Sequence, residues 1–482
     1  MKKMSFSCLL SLAIVATLAL FTACNKDKKE PKETPQSLLL NTVPQDASMV
    51  VAIGVDAIMD AFEQKELEEM ASPQIVAQIK LFKKNLDTQK AILFGRMSPM
   101  GNNSVITTVI KDYNAFVETI TASGATIEEK SGFSTAQLAP FHIIFDKDQV
   151  WVCSLSERDK KLAEESFKLK KEAGQSIRSI SYIRSILDNE MGIYLNLKAI
   201  ISGLDFTDAT WQKPALDDIN KYNTCLLGSI SLKKDKFAIS AALLDDKGNA
   251  LGDKHNIARA IDKTLLDYLE LKQDIFAGVA IKNEAFVKIL ENLAFPAVQQ
   301  FMPILSAING TVVIAINAKS TAINTPKDVE GTILIQTKGN SAAQLFPTIS
   351  DMLSDFHDKN GSKDGNDLAL NLPFGDYVFG FRENVLYLAP TPLAKKTQPN
   401  YNNHPIASTL IQNDMGYIIC DMKSNGTIAH IAKQVLDYPL NGYAVLSVRP
   451  DGATLLLQNE AASIASLIHK IVMYQKRYIE EE

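Results

Sequence analysis

The sequence predicts an α+β fold: two tandem related domains, each a mainly antiparallel sheet with helices on one face. Three observations point there. Short apolar runs with period-2 alternation recur along the chain, joined by turn residues at hairpin spacing. Between them lie segments whose apolar residues fall three and four apart, the mark of amphipathic helices. The same order of segments is then written again in the second half. Hairpins outnumber strand–helix–strand crossovers, which favours antiparallel pairing.

The first residues read as an address. Lys2 and Lys3 precede the apolar run CLLSLAIVATLAL (8–20). That run is short for a membrane span and reads as the core of a secretory signal, residues 1–23. LFTAC (20–24) closes it, with Thr22 and Ala23 set before Cys24. This lipobox resembles the bacterial lipoprotein type, although Phe21 stands where Leu is usual. The resemblance implies cleavage before Cys24 and acylation of its thiol and amine. More than one acyl chain gives a stable anchor, each buried methylene adding about 0.8 kcal/mol. NKDKKEPKETPQS (25–37) is charged and holds two prolines, so residues 24–40 read as a lipidated, flexible tether. No later apolar run is long enough to cross a bilayer, so the body is expected to be held to the membrane by lipid alone.

The repeat divides the body into a first domain, 41–272, and a second, 273–482. VVAIGVDAIMDAF (50–62) pairs with FAGVAIKNEAFVKIL (276–290), a strand leading into a helix. SVITTVIKDYNAFVETI (104–120) pairs with GTILIQTKGNSAAQLFPTI (331–349), and FHIIFDKDQVWVCS (141–154) with YVFGFRENVLYLAP (377–390). NEMGIYLNLKAI (189–200) pairs with NDMGYIICDMKSN (413–425), where Asn189, Met191 and Gly192 equal Asn413, Met415 and Gly416. LLGSISLKKDKFAISAALL (226–244) pairs with YAVLSVRPDGATLLLQN (443–459). Asp235 and Lys236 turn the first of these hairpins; Pro450, Asp451 and Gly452 turn the second. A closing helix is expected at IARAIDKTLLDY (257–268) and at IASLIHKIVMYQ (464–475), from the spacing of Ile257, Ile261, Leu265 and Tyr268 and of Ile464, Ile468 and Val472.

Composition narrows the function classes. Lys and Arg total 50 against 55 Asp and Glu, a net charge of −5. That balance gives no electrostatic reason to expect nucleic acid, whose binding needs a basic face. Walker A, Rossmann, G-x-S-x-G and H-E-x-x-H motifs are absent from the sequence, so no cofactor and no catalytic residue is assigned. The six histidines are scattered, without metal-ligand spacing. HDKNGSKDGND (357–367) offers Asp358, Asn360, Asp364, Asn366 and Asp367 as oxygen ligands. Lys363 and Ala369 break the EF-hand register and the lysines repel a cation, so a solvated loop is expected. Cys153, Cys225 and Cys420 lie in apolar strand runs and read as buried free thiols, with one disulfide among them left open.

Two tryptophans complete the candidates. Trp151 falls in a strand and is expected in the core. Trp211, in the polar stretch DFTDATWQKPALDD (205–218), is the candidate for an exposed ligand contact. Asp46, Asp56, Asp205 and Asp208 stand out no more than other acids as a hydrolytic pair.

VPQDASMVVAIGVDAIMDAF (43–62), with its turn at Pro44, Gln45, Asp46 and Ala47, resembles the opening of an uncharacterised family of Bacteroidetes lipoproteins of about this length. That resemblance implies location and layout, not mechanism. The expectation is an outer-membrane lipoprotein facing the periplasm, a non-enzymatic binding or scaffolding module with envelope proteins or glycan as partners. The alternative is an envelope hydrolase acting on glycan or peptide through unrecognised carboxylates.

Overall fold

The computed structural model describes residues 34–71, 73, 76, 79–80, 83–97, 102–170, 173–202, 219–251, 260–269, 274–282, 306–319, 325–357, 365–395, 415–423, 426–449 and 452–480. The chain is α+β, with nineteen strands among the described residues. Every pairing given below is antiparallel. The described residues divide into two compact units: those of 34–250 together with 464–480, and those of 251–463.

The first unit holds β1 (Met49–Ile53), β2 (Ala91–Arg96), β3 (Asn103–Val109), β4 (Thr126–Lys130), β5 (Phe133–Leu138), β6 (Phe141–Phe145), β7 (Gln149–Ser154), β8 (Met191–Asn196), β9 (Cys225–Leu232) and β10 (Lys236–Leu244). Their spatial order is β4-β5-β6-β7-β3-β2-β1-β8-β9-β10. Its longer helices are α1 (Val55–Ala61), α2 (Gln64–Ala71), α3 (Tyr113–Ala122) and α4 (Glu157–Leu169). Asp112 caps α3 by accepting from the Ala115 N–H, and Ser156 caps α4 by accepting from Asp159.

Helices cover both faces of this sheet, where the sequence predicts one. Ile143, Phe145 and Val150 pack with Phe116 and Ile120 of α3. Ile144, Trp151 and Cys153, the alternate residues of the same strands, pack with Leu162 and Ala163 of α4. FHIIF and QVWVC are apolar on both sides of the pleat, so each side needs a cover. Trp151 has no exposed surface and meets Phe167 edge-on at 5.5 Å, the core position expected of it.

The second unit holds β11 (Ile275–Ile281), β12 (Ile308–Ala318), β13 (Val329–Thr337), β14 (Asp367–Leu372), β15 (Gly375–Arg382), β16 (Val385–Ala389), β17 (Gly416–Met422), β18 (Gly442–Arg449) and β19 (Gly452–Asn459). Their order is β14-β15-β16-β13-β12-β11-β17-β18-β19. Helix α5 (Ser341–Met352) follows β13, and α6 (Thr427–Leu436) follows β17. One core packs Phe276, Val313, Leu334, Tyr387, Tyr417 and Val445 against Leu265 and Leu266. A second packs Phe346 of α5 on Leu368, Leu370, Phe379 and Leu386.

Both closing segments depart from expectation. Residues 252–259 of the first lie outside the described residues. Ile261, Leu265 and Tyr268 are buried as their spacing suggests, but Lys263–Tyr268 winds as a 3-10 helix rather than an α-helix. The other, α7 (Ile464–Glu480), is an α-helix that belongs to the first unit. The Ile464 N–H donates to Lys234 O at 2.8 Å, and His469 Nε2 lies 2.9 Å from the Glu69 carboxylate of α2. The division between units therefore falls after Ala250 rather than at 272/273, and the second unit stops at Ser463. The tether expected over 24–40 also ends sooner: Pro35–Leu38 is α-helical, Leu39–Thr42 is a 3-10 turn, and Leu39 and Leu40 are buried in the first unit's core because their apolar side chains pack there. Periodicity marks a helix that buries a face; it does not say which sheet receives it.

Candidate functional site: an open apolar sheet face

A half-solvated antiparallel sheet ordinarily alternates apolar and polar residues. Strands β11, β12, β17, β18 and β19 do not. Directly opposed residues share a face, so the pairings define three rows. Val312, Val279, Gly416, Val448 and Ala453 form one; Ile314, Ala277, Ile418, Leu446 and Leu455 the next; Ile316, Ile275, Cys420, Ala444 and Leu457 the third. Every position is Val, Ile, Leu, Ala, Gly or Cys. The intervening residues Phe276, Val313, Tyr417 and Val445 fill the core on the other side. The rows themselves meet solvent: Val279 is 43% exposed, Ile314 39%, Ile418 42% and Leu455 38%. Contiguous exposed apolar surface of this kind marks a place where something apolar is received.

The face continues under α5. Val312 opposes Ile335, which opposes Leu386; Ile314 opposes Ile333, which opposes Leu388. Between these strands and α5 lies a cavity of about 350 Å³ lined by Ile308, Ile333, Ile335, Leu345, Ile349, Met352, Leu353, Leu370, Leu372, Phe379, Leu386, Tyr387 and Leu388. Among the described residues of the lining, Tyr387 brings the only polar side chain, and its hydroxyl is donated to Asp367 at 2.6 Å. Burial, with Asp367 beside it, pushes that phenol well above its usual range, so it stays protonated. Arg382 donates twice to the same carboxylate, each time at 2.6 Å. Burial alone would raise the Asp367 pKa, but the hydrogen bonds from Arg382 and Tyr387 outweigh it and hold the carboxyl below its usual value.

Local sequence sets α5 in place. Ala342, Phe346 and Ser350 recur four apart and are buried, and Phe346 stacks on Phe379 at 5.4 Å. Pro347 lies inside the helix and has no N–H for the carbonyl of Ala343. Met352 lines the cavity and is 47% exposed, so the cavity opens to water beside it.

The first unit has three rows of the same kind. Ala91, Ile53, Met191, Ile230 and Ile239 form one; Leu93, Val51, Ile193, Gly228 and Ala241 the next; Gly95, Met49, Leu195, Leu226 and Leu243 the third. Most of these side chains are half-buried.

Of the residues singled out from the sequence, those that are described do not converge. Cys24, Trp211, Asp205 and Asp208 lie outside the described residues, as do residues 358–364 of the acidic loop. Asp367, the last oxygen ligand considered there, is occupied by Arg382. Asp46 pairs with Arg96 at 2.7 Å, and Arg96 also holds Glu165 at 2.6 Å. Asp56 takes Lys83 at 2.7 Å and the Thr88 hydroxyl at 2.9 Å. Each acid thus answers a basic group rather than a second carboxylate. Cys153, Cys225 and Cys420 are free thiols, the first two buried and Cys420 half-buried on the open face. Burial pushes the Cys153 pKa up to about 12. The Cys225 sulfur lies 3.1 Å from the Tyr182 hydroxyl. No described helix is long and apolar enough to cross a membrane.

No family model matches this chain, and no curated protein does. Among solved structures, crystal forms IV and III of TP0453 are similar at 9% and 10% identity. They cover 42% and 46% of this chain and 79% and 88% of that one, each with a TM-score of 0.28. Crystal form I covers 80% of this chain and 98% of that one at 11% identity, with a TM-score of 0.21. Likenesses this remote carry no argument.

Proposed function

We propose that this protein is a non-enzymatic binding module of the cell envelope, anchored through lipid on Cys24 in the outer membrane and facing the periplasm. Its working surface is the open apolar face of the second unit with the cavity beneath α5. One observation carries this reading: three apolar rows stand partly exposed on a sheet whose other side is a filled core. Keeping such a face in water costs roughly 25 cal/mol for each Å² of apolar surface left uncovered, so its retention favours a binding role.

Internal duplication is part of the proposal. Support comes from the two strand orders. Outward from β1 the first unit runs β2, β3, β7, β6, β5 on one side and β8, β9, β10 on the other. Outward from β11 the second runs β12, β13, β16, β15, β14 and β17, β18, β19. The strand orders agree place by place among the described residues, with β4 matched in the second unit by no described strand. A helix follows the third strand of each, α3 after β3 and α5 after β13.

Titration of the protein with an environment-sensitive apolar dye tests the binding role. Saturable binding that ends when the protein unfolds is expected; failure of the folded protein to bind would refute it. Fractionation tests the anchor: Cys24→Ala should move the protein from the membrane to the soluble fraction, and continued membrane association would count against lipidation.

A further inference from the structure

We infer that the cavity under α5, with the apolar row leading from it, holds one unbranched hydrocarbon chain: the tail of a fatty acid taken up as a monomer. This rests on the binding role proposed above and names its ligand.

Chemistry comes first. The lining offers hydrocarbon, one thioether and a phenol already committed to Asp367. A sugar, peptide or nucleotide placed there would bury polar groups without partners, which is unfavourable. A hydrocarbon loses nothing by entering. The cavity gives a carboxylate no partner either, so the methyl end goes in and the polar end stays in water.

Size excludes bulkier apolar occupants. One turn of α-helix, 10–12 Å across and 5.4 Å long, fills roughly 400–600 Å³. The cavity holds about 350 Å³ and opens to water, so a helix could rest across its mouth but not sit within it. The volume is still more than twice the ~150 Å³ that accepts a benzene-sized guest.

Shape favours a chain over a compact guest. The row Ile333, Ile314, Ala277, Ile418, Leu446 and Leu455 crosses six neighbouring strands and starts in the cavity wall. At ~4.8 Å between strands it runs about 24 Å. A lipid tail reaches roughly 15 Å, half of a ~30 Å bilayer core. A tail seated in the cavity therefore finds apolar contact along its whole length.

The test uses the full-length protein and saturated fatty acids from about eight to about sixteen carbons, kept below their micelle concentrations, displacing the apolar dye. The dissociation constant should fall about fourfold for each added methylene until the chain outgrows the site, then level off. Ile349→Trp, which fills the cavity, should weaken the longer acids at least tenfold. Ile418→Lys, on the open row away from the cavity, should weaken long acids and spare short ones. Circular dichroism melts confirm that each variant is folded. Affinity that ignores chain length overturns the inference and leaves the binding role standing if the dye still binds. Binding to phosphatidylglycerol vesicles without binding of monomeric acids overturns it in favour of a membrane-docking face. If the folded protein binds neither dye nor acid, both proposals fail.

Discussion

Val313 and Ile314 are neighbours in sequence on opposite faces of β12, and a lysine at each separates an open face from a core. Val313 has no exposed surface and packs among Phe276, Leu334 and Tyr387. An ammonium there must leave water without a partner, a change expected to cost more than about 4 kcal/mol and to unfold the second unit. Ile314 is 39% exposed, so about three-fifths of its surface is buried. At about 1.5–3 kcal/mol for a fully buried aliphatic side chain, the buried share is worth roughly 1–2 kcal/mol. The lysine stem regains part of that while its head reaches solvent, leaving a loss of about 1 kcal/mol or less. Ile418 at 42% exposed and Ile419 at 3% repeat the contrast on β17. Urea unfolding followed by circular dichroism gives the four midpoints. Ile314→Lys and Ile418→Lys should melt near wild type and bind the apolar dye more weakly, while Val313→Lys and Ile419→Lys should lose the folded transition. If Ile314→Lys were as damaging as Val313→Lys, the face would be packed rather than open and the reasoning would fail.

Other consequences follow from particular contacts. At Gly192 an added Cβ would sit 1.9 Å from the Ile186 carbonyl oxygen, whereas at Gly416 the nearest atom is 3.4 Å away. Gly192→Ala should therefore cost more than about 2 kcal/mol and Gly416→Ala less than about 1, both read from urea midpoints. Asp367 has its folded pKa held below 3.8. Its contribution is present above that value and lost as pH falls through the folded pKa, so the stability gap between wild type and Asp367→Asn should shrink as pH drops below about 4. Arg382→Met strands the same carboxylate and should destabilise by about 3 kcal/mol at neutral pH, a gap that acid also narrows. Cys153, whose pKa burial lifts to about 12, should resist a thiol reagent at pH 8 until denaturant is added. Labelling of Cys153 in the native protein, located by peptide mass, would contradict its burial.

Much of the fold was legible because its hairpins carry their own punctuation. Asp146 to Asp148 interrupt β6 and β7, and Glu383 and Asn384 interrupt β15 and β16, so two apolar runs and a turn are visible in each. β4 was hidden by its composition: Thr126–Lys130 is almost wholly polar and, among the described strands, pairs with β5 alone. β2 and β12 escaped the repeat pairing because each reaches its antiparallel partner across a longer connection, 97–102 and 319–328, rather than a tight turn. Face coverage was missed for a single physical reason. FHIIF in β6 and QVWVC in β7 are continuous apolar runs, a pattern that means both faces want apolar neighbours. VVIAI in β12 and YIIC in β17 carry the same signal at the candidate site, which holds neither an exposed aromatic nor a carboxylate pair among its described residues. What no one-dimensional pattern supplies is that the second face in β11, β12 and β17–β19 stands partly open.

The return of α7 to the first unit has a bearing on biogenesis. The segment that starts at Ile464 leaves the ribosome only after the second unit's strands have been made, and the N-terminal body stays short of one of its helices until then. A premature stop just before Ile464 should accordingly harm the front of the protein more than the back. Limited proteolysis of such a truncation would cut first near α2, whose Glu69 has lost His469, and would spare the β11–β19 sheet.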